Sequence, residues 1–415
     1  MRLGNGALFL LLAFLIWVEW YAYQATRTLI AKKTERFAQT VKWVYLLQAL
    51  LSFGLVIYVM FVQPGTVRFS FIFSVITMIY TAKLLGMVVT FFDDFRRVIK
   101  YFFDRKKARR HREKLAGKRI PRSQFLARTA VAAATLPIAT MSFGIVSGAY
   151  DYRIRRRKLY LPNLPKNFEG ITIAQLSDIH SGSFFDKTAV QGGVDMLLAE
   201  KPDLVFFTGD LVNNETKEVK EYFDIFSQVK ADMGVYSTLG NHDYGDYKAW
   251  HSVAAKRQNL RDMVEVHEKM GWRLLMNESV HLEQGGDRLA ILGVENWGGG
   301  RFAKYGQLDK AYQHAEADVK LLLSHDPSHW DLQVRPNYKD IDLMFAGHTH
   351  GMQLGVEIGD FRWSPSKWVY KQWADLYKEE HQYLYVNRGF GFLGFPGRIG
   401  IYPEITLMQL TSTPV

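Results

Sequence analysis

The chain reads as an α/β layered domain preceded by a helical membrane region of about four spans, on three observations. Four apolar stretches fall in the first 150 residues, at about 6–23, 43–62, 69–92 and 129–150. From Leu159 onward, short apolar runs alternate with amphipathic stretches. Charge divides at the same place: residues 1–158 hold 27 Lys/Arg and 7 Asp/Glu, whereas residues 159–415 hold 25 and 34. The expected division is therefore 1–158 and 159–415.

At 415 residues and 48% hydrophobic content there is material for two or three domains. The net charge of +11 belongs to the N-terminal part. A basic nucleic-acid groove thus loses its support, and no nucleic-acid partner is expected. The absence of cysteine excludes disulfides, thiolate ligands and a Cys nucleophile.

A bilayer core of about 30 Å needs roughly 20 apolar residues as a helix. The second and fourth stretches meet this cleanly. Glu19 interrupts the first and Lys83 the third, and these two either pair or snorkel to the interface; snorkelling is the expectation. Segments 24–42 and 93–122 carry five and thirteen Lys/Arg. Arg2, Arg68 and the run Arg153, Arg155, Arg156, Arg157, Lys158 make seven on the other side. The larger count belongs in the cytoplasm, which places the C-terminal domain outside it. The run 153–158 argues for the opposite orientation, with the domain at the cytoplasmic face. Segment 121–128 is similar to a twin-arginine export signal, but Ser123 stands where the second arginine would be. The basic run 93–122 is expected to be a solvated loop that fixes topology, with contact to anionic membrane lipids as the alternative.

Strands are expected at Ile171–Leu176, Leu204–Phe207, Val235–Leu239, Leu289–Leu292, Lys320–Leu323, Leu343–Ala346 and Tyr383–Val386. Helices are expected around Val190–Leu198, at Lys217–Val229 and at His251–Met270. Alternation of this kind argues for a layered sheet, with ligands at the C-terminal strand ends.

Five short blocks follow those strands: Asp178-Ile179-His180, Gly209-Asp210, Gly240-Asn241-His242-Asp243, Ser324-His325-Asp326 and Gly347-His348-Thr349-His350. Asp178 and His180, at i and i+2 of an extended segment, can meet one ion. A carboxylate such as Asp210 can serve two cations, one per oxygen. Asn241 offers a neutral oxygen, and Asp243 can accept a hydrogen bond from the His242 imidazole and fix its tautomer. His348 and His350 suit Zn²⁺, Mn²⁺ or Fe. The Asp178 and Asp210 blocks alone are weak and the Gly240–Asp243 block is more specific; the occurrence of all five in order within 173 residues decides the reading.

This pattern resembles the calcineurin-like metallophosphoesterases over about residues 170–410, and is most similar to the branch with membrane spans before the catalytic domain. The resemblance implies a four-layer sandwich of two mixed β-sheets flanked by helices. It implies one metal ion on Asp178, His180, Asp210 and His350, and a second on Asp210, Asn241, His325 and His348. His242 would then be the catalytic acid and Asp243 its orienting partner. Two cations roughly 3.5–4 Å apart would supply hydroxide for in-line attack on phosphorus. The expected activity is hydrolysis of a phosphoester or pyrophosphate bond, on a lipid-linked or nucleotide-sugar-lipid substrate. A UDP-2,3-diacylglucosamine pyrophosphatase at the cytoplasmic face is the alternative, and a non-enzymatic, metal-stabilised membrane docking protein a further one. Arg388 and Arg398 are the candidates for binding substrate phosphate. The segments 296–301, 363–373 and 389–400 are rich in aromatic residues and glycine. They either pack over the sheets or form an apolar, membrane-facing rim.

Overall fold

The computed structural model describes residues 5–31, 33–62, 66–104, 122–359 and 361–414. The cluster Arg105–Arg110 within the basic run lies outside them. Contacts divide the chain into two compact units, Met1–Ser142 and Phe143–Val415. The division precedes the expected boundary because the end of the fourth apolar stretch is part of the second unit.

The first unit is made of helices α1 (Asn5–Ile30), α2 (Glu35–Val62), α3 (Thr66–Asp104) and most of α4 (Arg122–Val146). Among the described residues, four segments are long and apolar enough to cross a membrane: Phe9–Thr28, Glu35–Phe61, Arg68–Arg96 and Arg128–Tyr150. Snorkelling of the two interrupting charges is corrected here. Lys83 Nζ lies 2.5 Å from Glu19 Oε1, and both side chains are largely buried. A lone charge among apolar helices is costly, and an opposite charge on a neighbouring helix relieves it.

The second unit holds two six-stranded mixed sheets. The first runs in the order β1 (Arg153–Tyr160), β14 (Glu404–Thr411), β2 (Thr172–Leu176), β3 (Leu204–Phe207), β4 (Val235–Ser237), β5 (Arg273–Leu274). The second runs β12 (Asp375–Glu379), β13 (Gln382–Val386), β9 (Leu343–Ala346), β8 (Val319–Leu323), β7 (Asp287–Gly293), β6 (Glu278–Gln284). A separate hairpin joins β10 (Val356–Ile358) to β11 (Phe361–Trp363). The central strands β2–β3 and β7–β8–β9–β13 pair in parallel, which is why they read as continuous apolar runs.

Between the sheets Ile173, Leu204 and Phe206 meet Leu289, Ile291, Leu321 and Phe345. The Phe206 and Phe345 rings lie edge-on at 5.0 Å. On one outer face Ala174, Val205 and Phe207 pack with Val190, Val194 and Leu197 of α5 (Lys187–Ala199). A short helix α6 (Phe223–Phe226) and α7 (Val253–Met270) cover the rest of that face. On the other outer face Ala290, Leu292, Leu322 and Met344 pack under Trp330 and Val334. The four-layer sandwich is thus as expected. Asp186 caps α5 by accepting from Ala189 N, and Ser252 caps α7 through Ala255 N.

The helix expected over 217–229 is broken: a 3-10 turn at Thr216–Glu221 precedes α6. Glu218 accepts from the Asn213 N–H at 2.6 Å and ties this segment to the loop after β3. The run 153–158, read from sequence as membrane-flanking charge, is strand β1. Its alternate residues Arg155 and Arg157 point the same way. Arg155 pairs with Glu357 and lies 3.7 Å from Glu404, and Arg157 pairs with Asp375 at 2.7 Å.

Candidate metal centre

All five blocks leave the C-terminal ends of strands and converge. Asp178 and His180 follow β2, Asp210 follows β3, Asn241 and His242 follow β4, His325 follows β8, and His348 and His350 follow β9. The backbone turns sharply to aim them. Asp178, His180, Asp210, His348 and His350 all have positive φ, between 49° and 70°. Each such residue costs on the order of 1–3 kcal/mol, and such strain collects at functional sites. The extended i, i+2 geometry expected for Asp178 and His180 is therefore replaced by left-handed turns, as also found at His348 and His350. Gly209 (φ 96°) and Gly347 leave room for them: a side chain at Gly347 would strike the Asp178 carboxylate, and one at Gly209 the backbone of Gly240.

Two sets of donor atoms result, Asp178–His180–His350 and Asp210–His325–His348. In the first, His350 Nε2 lies 3.2 Å from Asp178 Oδ1 and 3.0 Å from His180 Nε2. In the second, His325 Nε2 lies 3.1 Å from Asp210 Oδ2 and 3.2 Å from His348 Nδ1. Asp210 Oδ2 is also 3.6 Å from His180 Nε2, so this carboxylate stands between the sets. The neighbours His348 and His350 serve different sets, because the left-handed turn splays them.

Electrostatics favour cations here. Burial pushes Asp178 up, but His350 and His325 outweigh it and hold the carboxyl well below its usual range. Asp210 is likewise lowered, its burial outweighed by His325 and His242. Burial disfavours charge on His325, yet Asp210 and Asp178 push that imidazole up to about 10. Buried ionised carboxylates draw whatever positive charge is near. A divalent pair fits this donor set on one further observation. Asn241 Oδ1 is buried with no hydrogen-bond partner among the described residues, while its amide nitrogen donates to Tyr247 Oη at 2.8 Å. An orphaned oxygen beside anionic and imidazole donors is what a cation would satisfy. His325 Nδ1 donates to the Thr208 carbonyl at 2.7 Å, which makes Nε2 the atom that would serve as a ligand once a cation replaced its proton.

His242 is half-buried, its ring 5.0 Å from that of His180. The partner expected for it is corrected. His242 Nδ1 is held by the Asn213 carbonyl at 2.6 Å, not by Asp243. The Asp243 carboxylate instead accepts the N–H groups of Asp210, Leu211, Val212 and Gly240 at 2.8–3.3 Å. Burial and the Asp210 charge push Asp243 up to about 7, against those donors. Asp243 therefore shapes the loop that carries Asp210.

The phosphate-binding expectation for Arg388 and Arg398 is also corrected, since neither side chain has exposed surface. Arg388 pairs with Glu404 and Glu357, both at 2.6 Å. Arg398 donates to the carbonyls of Gly391 and Gly389 and lies 3.2 Å from His350 Nδ1. Two tyrosines escaped sequence reasoning: Tyr247, against Asn241 and His242, and Tyr370, whose hydroxyl lies 2.7 Å from His348 Nε2. Neither lies in a ligand-like motif, so no local signal marked them. Segment 389–400 packs inward through Phe390 and Phe392, whereas 363–369 exposes Trp368 and Val369.

A two-sheet sandwich with paired Asp/His sets at its strand ends defines a metallophosphoesterase-type domain. Residues 171–352 match the model of the calcineurin-like phosphoesterase family, and residues 3–149 match that of its probable transmembrane domain. The chain is thus similar to calcineurin-like phosphoesterases that carry a transmembrane domain, and it is a membrane protein. It is 28% identical over 281 residues to a transmembrane protein with metallophosphoesterase domain from Danio rerio, across 65% of this chain and 59% of that one. The Bos taurus protein of that name is 26% identical over 287 residues, across 65% and 60%. The metallophosphoesterase YkuE of Bacillus subtilis is 26% identical over 253 residues, across 60% and 82%. The chain thus spans about three-fifths of the length of the two vertebrate relatives.

Proposed function

We propose that the chain is a membrane-anchored, metal-dependent phosphoesterase that hydrolyses a phosphoester or pyrophosphate bond on a lipid-linked substrate, with its catalytic domain outside the cytoplasm. The observation that carries the reading is the pair of donor sets, with Asp210 of the second 3.6 Å from His180 of the first, together with the buried Asn241 Oδ1 that has no hydrogen-bond partner among the described residues. Asp178, His180, Asp210 and His350 would hold one divalent ion, and Asp210, Asn241, His325 and His348 the other, with Mn²⁺, Fe or Zn²⁺ all suited to such donors. When bound, two such ions supply Lewis acidity and a nucleophilic water at neutral pH.

The chain's own residues do the rest. Asp178 accepts from the His348 N–H and Asp210 from the His242 N–H, so each carboxylate is held by the backbone of another site residue. In its imidazolium form His242 keeps Nδ1–H on the Asn213 carbonyl and gives the Nε2 proton to the leaving oxygen. The membrane region supports the lipid-linked class, because it confines the site to two dimensions where such substrates reside. The pairing of Arg155 and Arg157 within the fold weakens the one count that opposed an external domain.

Purified full-length protein should hydrolyse an aryl phosphate with added Mn²⁺ and lose that activity on chelation. Inactivity with every divalent ion would sink the enzyme reading in favour of a docking protein. Protease added to intact spheroplasts should cleave the second unit; full protection would place it in the cytoplasm and favour the UDP-2,3-diacylglucosamine-type reaction.

A further inference from the structure

We propose that the β10–β11 hairpin and the turn that follows it sit in the bilayer interface beside the end of the fourth membrane span, and hold the mouth of the metal site against the lipid surface. The hairpin presents apolar side chains to the outside: Ile358 is 72% exposed and its cross-strand partner Phe361 62%. In the next turn Trp368 is 72% exposed and Val369 65%, and the Trp368 ring packs 5.8 Å from Trp363 of β11. Contiguous exposed apolar groups of this size mark an interaction surface.

The occupant follows from what lies next to the hairpin. The last residues of the fourth apolar span, from Phe143 on, belong to the same compact unit. There Gly144 O accepts from Arg398 N at 3.1 Å, and a side chain at Gly144 would press on Ile399. Ile399 N donates to Gln353 O at 2.7 Å and Ile399 O accepts from Gly355 N at 2.9 Å, one residue before β10. Two hydrogen-bonded steps therefore connect the end of a membrane span to the hairpin. Phe143 and Val146 on that span end are themselves exposed and apolar. A tryptophan beside the exposed Lys367 suits the level of lipid head groups. The outer edges of a two-stranded hairpin carry unpaired backbone groups, so immersion stops at the head-group and acyl boundary, about 5–10 Å deep. Tyr370, which holds His348, lies one residue beyond Val369 and would be drawn to the same surface.

The chain has no cysteine, so single nitroxides can be placed without background. Ile358→Cys and Phe361→Cys are labelled in the full chain in nanodiscs of phosphatidylcholine and phosphatidylglycerol. Val253→Cys, 69% exposed at the start of α7, is the aqueous control. Collision with oxygen should exceed collision with a water-soluble nickel chelate at 358 and 361, and the order should reverse at 253. Nickel access at 358 and 361 equal to that at 253 overturns the proposal. So does dipolar broadening, which would make a second copy the occupant, and so does exclusion of both probes, which would mean cover by protein. Trp368→Cys repeats the measurement if a hairpin variant fails to fold. Depth requires no turnover, so this result is independent of the phosphoesterase reading.

Discussion

Substituting Arg388 by methionine separates a buried structural ion from a phosphate-binding one. Arg388 Nη1 donates to Glu404 Oε2 at 2.6 Å, Nη2 to Glu357 Oε1 at 2.6 Å, and Nη2 lies 3.4 Å from Asp375 Oδ2. Glu404 is itself fully buried, and its other ion pair among the described residues is with Arg155 at 3.7 Å. Methionine keeps most of the volume and removes the charge, which leaves the buried Glu404 with the longer Arg155 contact as its ion pair and takes one cation from Glu357 and Asp375. Breaking a buried pair in this way costs about 3–5 kcal/mol. At roughly 2–4 °C per kcal/mol for a domain of this size, the second unit should melt roughly 6–20 °C lower. The assay is near-UV circular dichroism of the full chain in detergent at one scan rate, with KM for an aryl phosphate measured well below the transition. KM should not change. Adding Glu404→Gln should recover part of the loss, because both partners are then neutral. A wild-type transition with a raised KM would refute the reasoning and restore Arg388 as a phosphate contact.

The remaining expectations concern the centre and the core. His242→Ala should lower turnover by roughly 10²–10⁴-fold with metal content unchanged; loss of metal by elemental analysis would contradict its role as a proton donor. Asp210→Ala should lose more metal than either His180→Ala or Asn241→Ala, since Asp210 lies within reach of both sets; equal losses would remove it from the bridging position. His267, buried against Trp272 with Nδ1 2.9 Å from Ser237 Oγ, is pushed down to about 3 by burial. Its folded pKa is below the unfolded value near 6.5, so its neutral form is fully compatible with the fold above about pH 6.5. Stability should then fall by up to about 1.4 kcal/mol per pH unit between about 6.5 and 3. His267→Gln should flatten that part of the profile in denaturant titrations, and an unchanged slope would assign the acid sensitivity elsewhere.

Much of this protein was open to sequence reasoning because its signals are local. Strands β3 and β9 are runs of four buried apolar residues and end where the apolar pattern ends. The candidate ligand residues follow such strands within a few positions, so short motifs carried them. Strand β14 was missed because its partners β1 and β2 lie more than 200 residues earlier and its own alternation is irregular. The helix expected over 217–229 failed where Glu218 found a backbone donor at Asn213.

By itself the sequence determined the apolar spans, the central strands and the short Asp/Asn/His blocks that follow them, since periodicity and residue type within a few positions suffice for each. Tertiary structure alone decided where the charges go. Glu19 meets Lys83 across 64 residues, Arg155 meets Glu357 across 202, and Arg157 meets Asp375 across 218. It also gave His242 a carbonyl in place of Asp243, and closed Arg388 and Arg398 inside the fold. A buried charge takes the partner that the fold brings within about 3 Å, and sequence separation carries no information about that distance.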